Sequence, residues 1–205
     1  MTDGFTIRNL SQKFDFGGKT VSENLEKELA YLLENTKEKE KVLNEIKTKF
    51  CFISKDFDVE MKKEQNNTFQ LPDGQTISLG KELFKITEFL FDSRFMNLPK
   101  SNSIQQKLYE NVSKLNVDMR RIYYQNIVVS GGNGCIKGFL DRLKQEVTYL
   151  TPHDWLIKVH SDKSSNTNWY GGSIISSLST FEPSWMTKEK YEEFGSNCVH
   201  FQIWS

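Results

Sequence analysis

A glycine-rich segment, residues 130–134, is the part of this sequence whose composition and spacing best fit ligand chemistry. It follows an apolar run at 127–129 and precedes apolar residues at helical spacing over 139–147. A turn between a buried strand and a helix exposes backbone N–H groups near the helix N-terminus, where an anion or a nucleotide can bind. Glycines also permit positive φ and close packing without any ligand. The loop alone therefore leaves ligand binding and plain packing both open.

The cysteines and histidines could in principle bind a metal ion, but their spacing does not match any metal-ligand pattern. These residues are Cys51, Cys135, Cys198, His153, His160 and His200. We therefore predict no metal site, and free thiols in a reducing compartment.

Bulky apolar side chains stand in the last five residues of the sequence, namely Phe201, Ile203 and Trp204. Tails that carry such groups usually dock them against something. We therefore predict that Phe201 and Trp204 contact a partner, with Trp204 as the anchor.

Positive and negative side chains balance, with 27 Lys and Arg against 27 Asp and Glu. Neutralising phosphates requires a surplus of Lys and Arg on one face, so we predict no direct nucleic-acid partner. The alternating run at 37–41 is typical of a solvated helix face with local ion pairs. No N-terminal signal pattern is visible, and no apolar run approaches the roughly 20 residues that span a bilayer. The expectation is a soluble intracellular protein without a membrane partner.

The first half of the chain shows helical spacing and then alternation. A strand ending at 14–16 and a glycine turn lead to Thr20 and Glu23, whose capping-box spacing predicts a helix start at Thr20. Apolar residues predict one helix over 25–33 and another over 42–50. A turn signature at 72–74 then predicts a hairpin between strands at 69–71 and 76–79.

The second half alternates helices and strands, which is typical of a mixed α/β fold. Apolar spacing predicts helices over 104–115, 120–125 and 139–147, a buried strand at 127–129, and a strand at 155–159. Further on, Gly171 and Gly172 are predicted to open a helix through Leu178, and a short helix runs from Thr187 to Gly195.

Several segments carry a resemblance to a known family. Residues 126–132 with Gly138, Asp141 and Arg142 are similar to the strand, adenine-side loop and helix of actins. Residues 169–181 and 190–200 resemble the end of an actin, and residues 14–19, 47–51 and 71–75 match earlier segments in order. The similarity is most specific after Asn126.

The resemblance implies an α/β, incomplete actin-like fold of the actin, HSP70 and sugar-kinase ATPase type, present as the second half only. Residues 1–14 would be an N-terminal extension and 15–97 the fourth subdomain. Residues 98–167 would be part of the third subdomain, and 168–205 would return to the first. Residues Phe5, Ile7 and Leu10 of the extension could supply one replacement strand.

The same resemblance implies a vestigial nucleotide site formed by Lys47, Gly131, Gly132, Asn133 and Ile136. Several positions depart from the actin pattern. Thr48 replaces an acidic residue, Ile136 an aromatic one and Ser165 a lysine, although Lys163 stands two residues away.

In actins the two phosphate-binding hairpins precede the position of Phe14. The resemblance therefore implies that they are lacking, and phosphoryl transfer depends on such groups. We expect no enzyme activity and no cofactor, with ATP or ADP and Mg²⁺ as the alternative.

An actin third subdomain without its first strands would leave sheet edges and apolar surface that need cover. The resemblance thus implies protein partners, with Ile174, Ile175 and Leu178 at a second contact surface unless they are plain core. The favoured interpretation is a non-catalytic structural subunit of a larger cytoskeletal assembly in the cytoplasm, with the cilium or axoneme as one candidate location. The alternatives are half of a split ATP-binding actin and a subunit of a chromatin-remodelling complex.

Overall fold

The computed structural model describes residues 6–34, 36, 38–96 and 103–198, and these divide between two compact units, residues 1–165 and 166–205. Helices of the first unit are α1 (Gly18–Glu28), α2 (Lys39–Lys49), α3 (Phe57–Lys62), α4 (Glu82–Glu88), α5 (Ile104–Ser113), α6 (Val117–Tyr124) and α7 (Phe139–Leu150). Its strands are β1 (Asn67–Gln70), β2 (Thr76–Leu79), β3 (Ile127–Val128) and β4 (Val159–His160). The second unit contains α8 (Thr167–Ser176) and α9 (Lys188–Phe194).

The start of α1 differs from the prediction. No strand forms at 14–16, and the helix begins at Gly18 rather than at Thr20. Thr20 instead lies inside the first turn, where its hydroxyl accepts a hydrogen bond from the Gly17 N–H at 3.2 Å. A side-chain oxygen at the third helical position can satisfy an orphan N–H just as an N-cap side chain does, so the same residue supports an earlier start.

One part of the hydrophobic core is built from α1, α2, α4 and the β1–β2 hairpin. Apolar residues at helical spacing place Val21 and Leu25 of α1 and Ile46 of α2 inside, each with no exposed surface. The predicted hairpin is confirmed, with Phe69 opposite Ile77 and a glycine, Gly74, at φ +89° in the turn. Only glycine adopts that conformation at little cost, which explains the tight turn.

The same hydrophobic core extends to α7, whose Phe139, Leu143 and Val147 are buried in it. The predicted helices at 104–115, 120–125 and 139–147 are confirmed, with small shifts at their ends. The strand predicted at 155–159 is mostly wrong, because Val159 is the one residue of that range in β4, which pairs in parallel with β3. The helix predicted from Gly171 begins earlier, at Thr167 of α8, and the one begun by Thr187 and ended by Gly195 is confirmed as α9.

Two further expectations about strands are wrong. The 127–129 run is not buried, because Val128 on β3 is 73% exposed. The N-terminal segment does not supply a strand in its described part, since residues Arg8–Leu10 form a 3-10 helix. Ile7 and Leu10 instead line an apolar cavity with α5 residues, while Phe5 lies outside the described residues.

Candidate functional site

A cleft of about 580 Å³ lies where the start of α1, the last turns of α2 and the glycine loop meet. All five residues predicted for a nucleotide site line it. The lining residues are Gly18, Asn44, Lys47, Thr48, Ser130, Gly131, Gly132, Asn133, Cys135, Ile136 and Ser165. The tertiary structure thus brings together side chains that are more than 80 positions apart in sequence.

Lys47 is the one charged residue among those lining residues. Its ammonium nitrogen donates to Ser22 Oγ at 2.9 Å and to the Gly18 carbonyl oxygen at 3.3 Å. Because α2 buries the preceding residue, Ile46, Lys47 points along the edge of the core towards α1. Its donors are therefore directed at the protein itself, and a ligand anion would have to compete with these two acceptors.

Asn133 closes the same end of the cleft. A Cβ atom built on Gly18 would lie 3.1 Å from Asn133 Oδ1 and 4.0 Å from the Lys47 ammonium nitrogen. Gly18 therefore allows the amide of Asn133 and the amine of Lys47 to approach the first turn of α1 closely. A larger side chain at position 18 would push Asn133 into the cleft.

The glycines of the loop fall into two kinds. A Cβ on Gly134 would lie 2.6 Å from Val129 Cγ1, and one on Gly138 would lie 2.2 Å from the Ile53 carbonyl oxygen, so both are required by packing. Gly131 needs its positive φ of +87° but has no atom within 4 Å of a built Cβ. Gly132 has neither a positive φ nor a close neighbour. Its backbone therefore faces open space in the cleft, where a ligand can approach.

The substituted positions lie as follows. Thr48 donates its hydroxyl to the carbonyl oxygen of Asn44 at 2.8 Å, within its own helix. Ser165 lines the cleft, whereas Lys163 lines an adjoining small cavity beside Gly138 and Asp141, and the two share Cys135 and Ile136. Lys163 is therefore not a lining residue of the cleft itself. Most of the lining residues are glycine or have neutral polar side chains, Ile136 is apolar, and none of the lining residues is a carboxylate or an aromatic residue.

Four lining residues were not named individually as site residues in the sequence analysis: Gly18, Asn44, Ser130 and Cys135. Asn44 precedes Lys47 by three positions on α2, and residues three apart share one helix face, so that spacing could have indicated it. Cys135 and Ser130 belong to the loop itself. Gly18 has no local signal, because its role depends on Asn133, a residue 115 positions away.

The predicted partner-binding residues of the second unit lie on and just after α8. Ile174, Ile175 and Leu178 are each at least half exposed. None of the residues of α8 is buried. Phe201 and Trp204 lie outside the described residues.

The inner face of α7 carries a buried ion pair that sequence reasoning did not find. Arg142 Nη2 lies 2.9 Å from Glu88 Oε1 of α4, and Nη1 donates to the Ser54 carbonyl oxygen at 2.6 Å. Its Nε donates to Glu146 at 2.7 Å, one turn along α7. The three bonds link α4, α7 and the segment that follows α2.

Burial raises the pKa of the Glu88 carboxyl to about 7, because removal from water disfavours its charged form more than Arg142 favours it. Burial alone would lower the pKa of Arg142, but Glu88 and Glu146 outweigh it and raise that pKa. The guanidinium therefore stays charged, and Glu88 is the member of the pair that titrates near neutral pH.

Neither a metal site nor a membrane-spanning helix is found among the described residues. Over residues 6–34, 36, 38–96 and 103–198, no group of three His, Cys, Asp or Glu residues is arranged to hold a metal ion. In the same ranges every helix is too short or too polar to cross a membrane.

Comparison with known proteins identifies the family to which the fold and the cleft belong. The protein family named Actin matches residues 1–203. The chain belongs to the actin family. It is 36% identical over 211 residues to actin-29 of Dictyostelium discoideum, an alignment that covers 96% of this chain and 54% of that protein. This actin-family chain therefore spans about half the length of that relative, and its α/β elements fit an actin-like fold.

The cleft fits one end of the nucleotide that the family implies. Its volume and the open backbone at Gly132 admit a nucleoside, which Asn133, Ile136 and Ser165 would contact. A magnesium ion prefers carboxylate and phosphate oxygens, and no lining residue supplies a carboxylate. The described residues thus fit the base and sugar better than the charged end.

Proposed function

We propose that this protein is a non-catalytic structural subunit of a larger cytoskeletal assembly, held there by another protein subunit. The observation that carries the proposal is strand β3, whose one strand partner among the described residues is β4. Parallel sheets are normally covered on both faces, because the side chains of their strands are apolar on both faces. Here β3 pairs with β4 over only two residues, and Val128 is 73% exposed.

The hydrogen bonds of β3 leave one edge available. The N–H groups of Ile127 and Val129 donate to β4 carbonyl groups, at 3.3 Å to Lys158 and 2.8 Å to His160. In a parallel ladder the residue between them points its N–H and C=O the other way, so those of Val128 face away from β4. Such an edge is a template for another strand. We therefore expect a partner to add a strand beside β3 and to cover Val128.

The cleft supports the non-catalytic part of the proposal. Phosphoryl transfer relies on cations and metal ligands that stabilise charge on the transferred group. Lys47, the only cation in the lining, donates to Ser22 and Gly18. The cleft offers shape and neutral polar groups, which suit retention of a nucleoside rather than hydrolysis of a phosphate.

The assembly is tested by purifying the full tagged chain from its native cells and measuring the stoichiometry of its partners. Val128→Arg should remove the stoichiometric partner, because a charge would be placed where the added strand packs. Val117→Arg is the matched control, since Val117 is 62% exposed and is the first residue of α6, whereas β3 follows the other end of that helix. Equal retention of partners by both variants contradicts the proposal.

The cover of β3 could instead come from a segment of the same polypeptide outside these 205 residues. The mass of the endogenous tagged protein distinguishes the two cases. A larger single polypeptide that purifies as a monomer, with its strand beside β3, argues against a separate partner.

The second candidate function is half of a split ATP-binding actin, and the cleft at Gly132 is the observation that favours it. Photocrosslinking with an azido-ATP analogue on the purified assembly tests it. Labelling that is lost in Gly132→Val and retained in Val117→Arg would support nucleotide binding. ATP hydrolysis by the assembly that the same substitution abolishes would overturn the non-catalytic proposal.

The proposed location is the cytoskeleton, which family membership favours. An axonemal position and a nuclear position in a chromatin-remodelling complex are the two finer alternatives. Fractionation of the tagged protein into axonemal, cytoplasmic and chromatin pools separates them.

A further inference from the structure

A second concave surface lies on the side of α1 and α4, and the cleft does not involve it. We call it the aromatic groove. It has a volume of about 400 Å³ and is lined by Asn24, Lys27, Glu28, Phe57, Lys85, Ile86, Phe89 and Phe95. Its floor is aromatic and its rim carries charged side chains, and the two together indicate what kind of ligand can bind.

The floor of the aromatic groove is a packed set of rings. Phe57 lies 5.1 Å from Phe95 and 5.6 Å from Phe84, measured between ring centroids, and both pairs are edge-on. Phe89 is 1% exposed, whereas Phe95 is 50% exposed. The interior side of the floor is therefore held by the core, and Phe95 offers an aromatic surface to a ligand. Aromatic rings held in this way bury large area at little entropic cost.

The rim of the aromatic groove carries two cations, Lys27 near the end of α1 and Lys85 on α4. Both are exposed, and neither has a hydrogen bond or an ion pair with any described residue. Glu26, which precedes Lys27 in the sequence, pairs with Lys39 at 3.4 Å. Glu28 is the one acidic lining residue, so the lining carries two positive charges against one negative.

We propose that the aromatic groove binds a segment of a partner protein that carries an aromatic or large aliphatic side chain beside acidic residues. The apolar side chain would fill the space over Phe57 and Phe95, and the carboxylates would pair with Lys27 and Lys85. Two cations are too few to hold a nucleic acid, whose binding scales with the number of phosphates neutralised. The inference gives the chemistry of one contact in the proposed assembly and therefore rests on the proposed function.

The test uses a phage-displayed library of random 12-residue peptides, selected on the full chain. Enriched peptides should contain an aromatic or leucine residue within three positions of Asp or Glu. Synthetic versions should bind the full chain, measured by fluorescence anisotropy, and bind Lys27→Gln/Lys85→Gln about tenfold more weakly, as expected for the loss of two ion pairs. Phe95→Ser should weaken binding by a similar factor.

The matched control is Lys144→Gln/Lys158→Gln, which removes two exposed lysines outside the aromatic groove. It should leave peptide affinity unchanged, and thermal melting should show all variants folded. If Phe95→Ser does not fold, Phe95→Leu takes its place and should weaken the binding of aromatic peptides.

The proposal is overturned by a lack of enrichment, by enriched peptides without acidic residues, or by equal losses in the control. It is also overturned if the chain instead sediments with vesicles containing 30% phosphatidylserine in a manner that needs Lys27 and Lys85. Peptide binding does not require the native assembly. A failed purification of the assembly therefore counts against the proposed function alone, and a failed selection counts against the groove alone.

Discussion

The glycine loop has one side that packs against the interior of the protein and one that faces the cleft, and glycines serve different purposes on the two sides. On the inner side, Gly134 and Gly138 have backbone or side-chain atoms within 2.6 Å of a built Cβ, so they close the fold. On the outer side, Gly131 and Gly132 have open space around them. A glycine-rich loop is thus not one signal, because part of it meets a packing demand and part of it leaves room for a ligand.

The cations on the two sides differ in the same way. Arg142 is 10% exposed at its side chain and holds three hydrogen bonds within the core. Lys47 is partly buried and bonds two neutral oxygen atoms at the edge of the cleft. The difference teaches that substitutions on the interior side should destabilise the fold, because several contacts fix each residue there. Substitutions on the cleft side should have smaller effects. The following substitutions test that contrast.

The largest effect is expected from Arg142→Met. It leaves the Glu88 carboxylate buried without its partner and should lower the free energy of unfolding by about 3 to 5 kcal/mol at pH 8. Urea denaturation measures it. Arg121→Met is the matched control, since its pair with Asp154 is more than half exposed and should contribute less than about 1 kcal/mol. Similar losses in the two variants would remove the distinction between interior and surface cations.

Gly138→Ala should have the next largest effect. Its Cβ would overlap the Ile53 carbonyl oxygen, and its φ of +88° disfavours any residue with a side chain, so a loss of about 2 to 4 kcal/mol is expected. Gly132→Ala should change stability by less than about 0.5 kcal/mol. Thermal melting of both variants tests whether Gly138 is required by packing and Gly132 is not. Equal shifts in Tm would contradict that distinction.

The pH dependence of stability tests the Glu88 environment. Burial raises the folded-state pKa of Glu88 to about 7 from its ordinary 4.5. The folded state then holds a proton that the unfolded state has lost, so the free energy of unfolding should fall as pH rises from about 4.5 to 7 and level off above it. Glu88→Gln should make this decrease in the free energy of unfolding smaller by roughly 2 to 3 kcal/mol.

Glu110→Gln is the control for the pH experiment. Its pKa is lowered, chiefly by a hydrogen bond from Lys107, so its contribution is present above the usual pKa and is lost only in acid. If Glu88→Gln and the unmodified chain show parallel pH profiles between pH 5 and 8, the carboxyl does not titrate in that range.

The smallest effect is expected at the cleft. Ser22→Ala removes one hydrogen bond between α2 and α1, and Lys47→Met removes that bond and the bond to the Gly18 carbonyl oxygen. Each substitution should cost about 0.5 to 1.5 kcal/mol. The double variant should cost less than the sum of the two, because the residues share that bond. Additive losses in urea denaturation would show that the two side chains act independently.

Much of the local structure was predictable from the sequence. The hairpin, α2, α5, α6, α7 and α9 follow from apolar spacing and from turn and cap residues such as Gly74 and Thr187, since these signals act over a few positions. The start of α1 was misplaced because Thr20 can satisfy the Gly17 N–H from inside the first turn. The 127–129 run was assigned as buried because apolar composition alone does not reveal whether a neighbouring strand is present.

The five residues predicted for the nucleotide site do share one cleft, and that prediction depended on family resemblance rather than on local pattern. The resemblance did not reveal that the Lys47 amine points at Ser22, or that Lys163 lies in another cavity. It included Arg142 but did not reveal its contact with Glu88, since that contact joins residues 54 positions apart.

The sequence alone determined the order of strand, glycine loop and helix over residues 127–150, because the spacing of apolar residues and glycines is a local property. It also determined membership of the actin family, because the motifs that show it are short stretches of sequence. Tertiary structure decided which glycines close the fold and which face the cleft. It also decided which cations are paired and that Lys27 and Lys85 flank a floor of phenylalanine rings. Those properties depend on distances between atoms far apart in sequence, and only the packed chain specifies them.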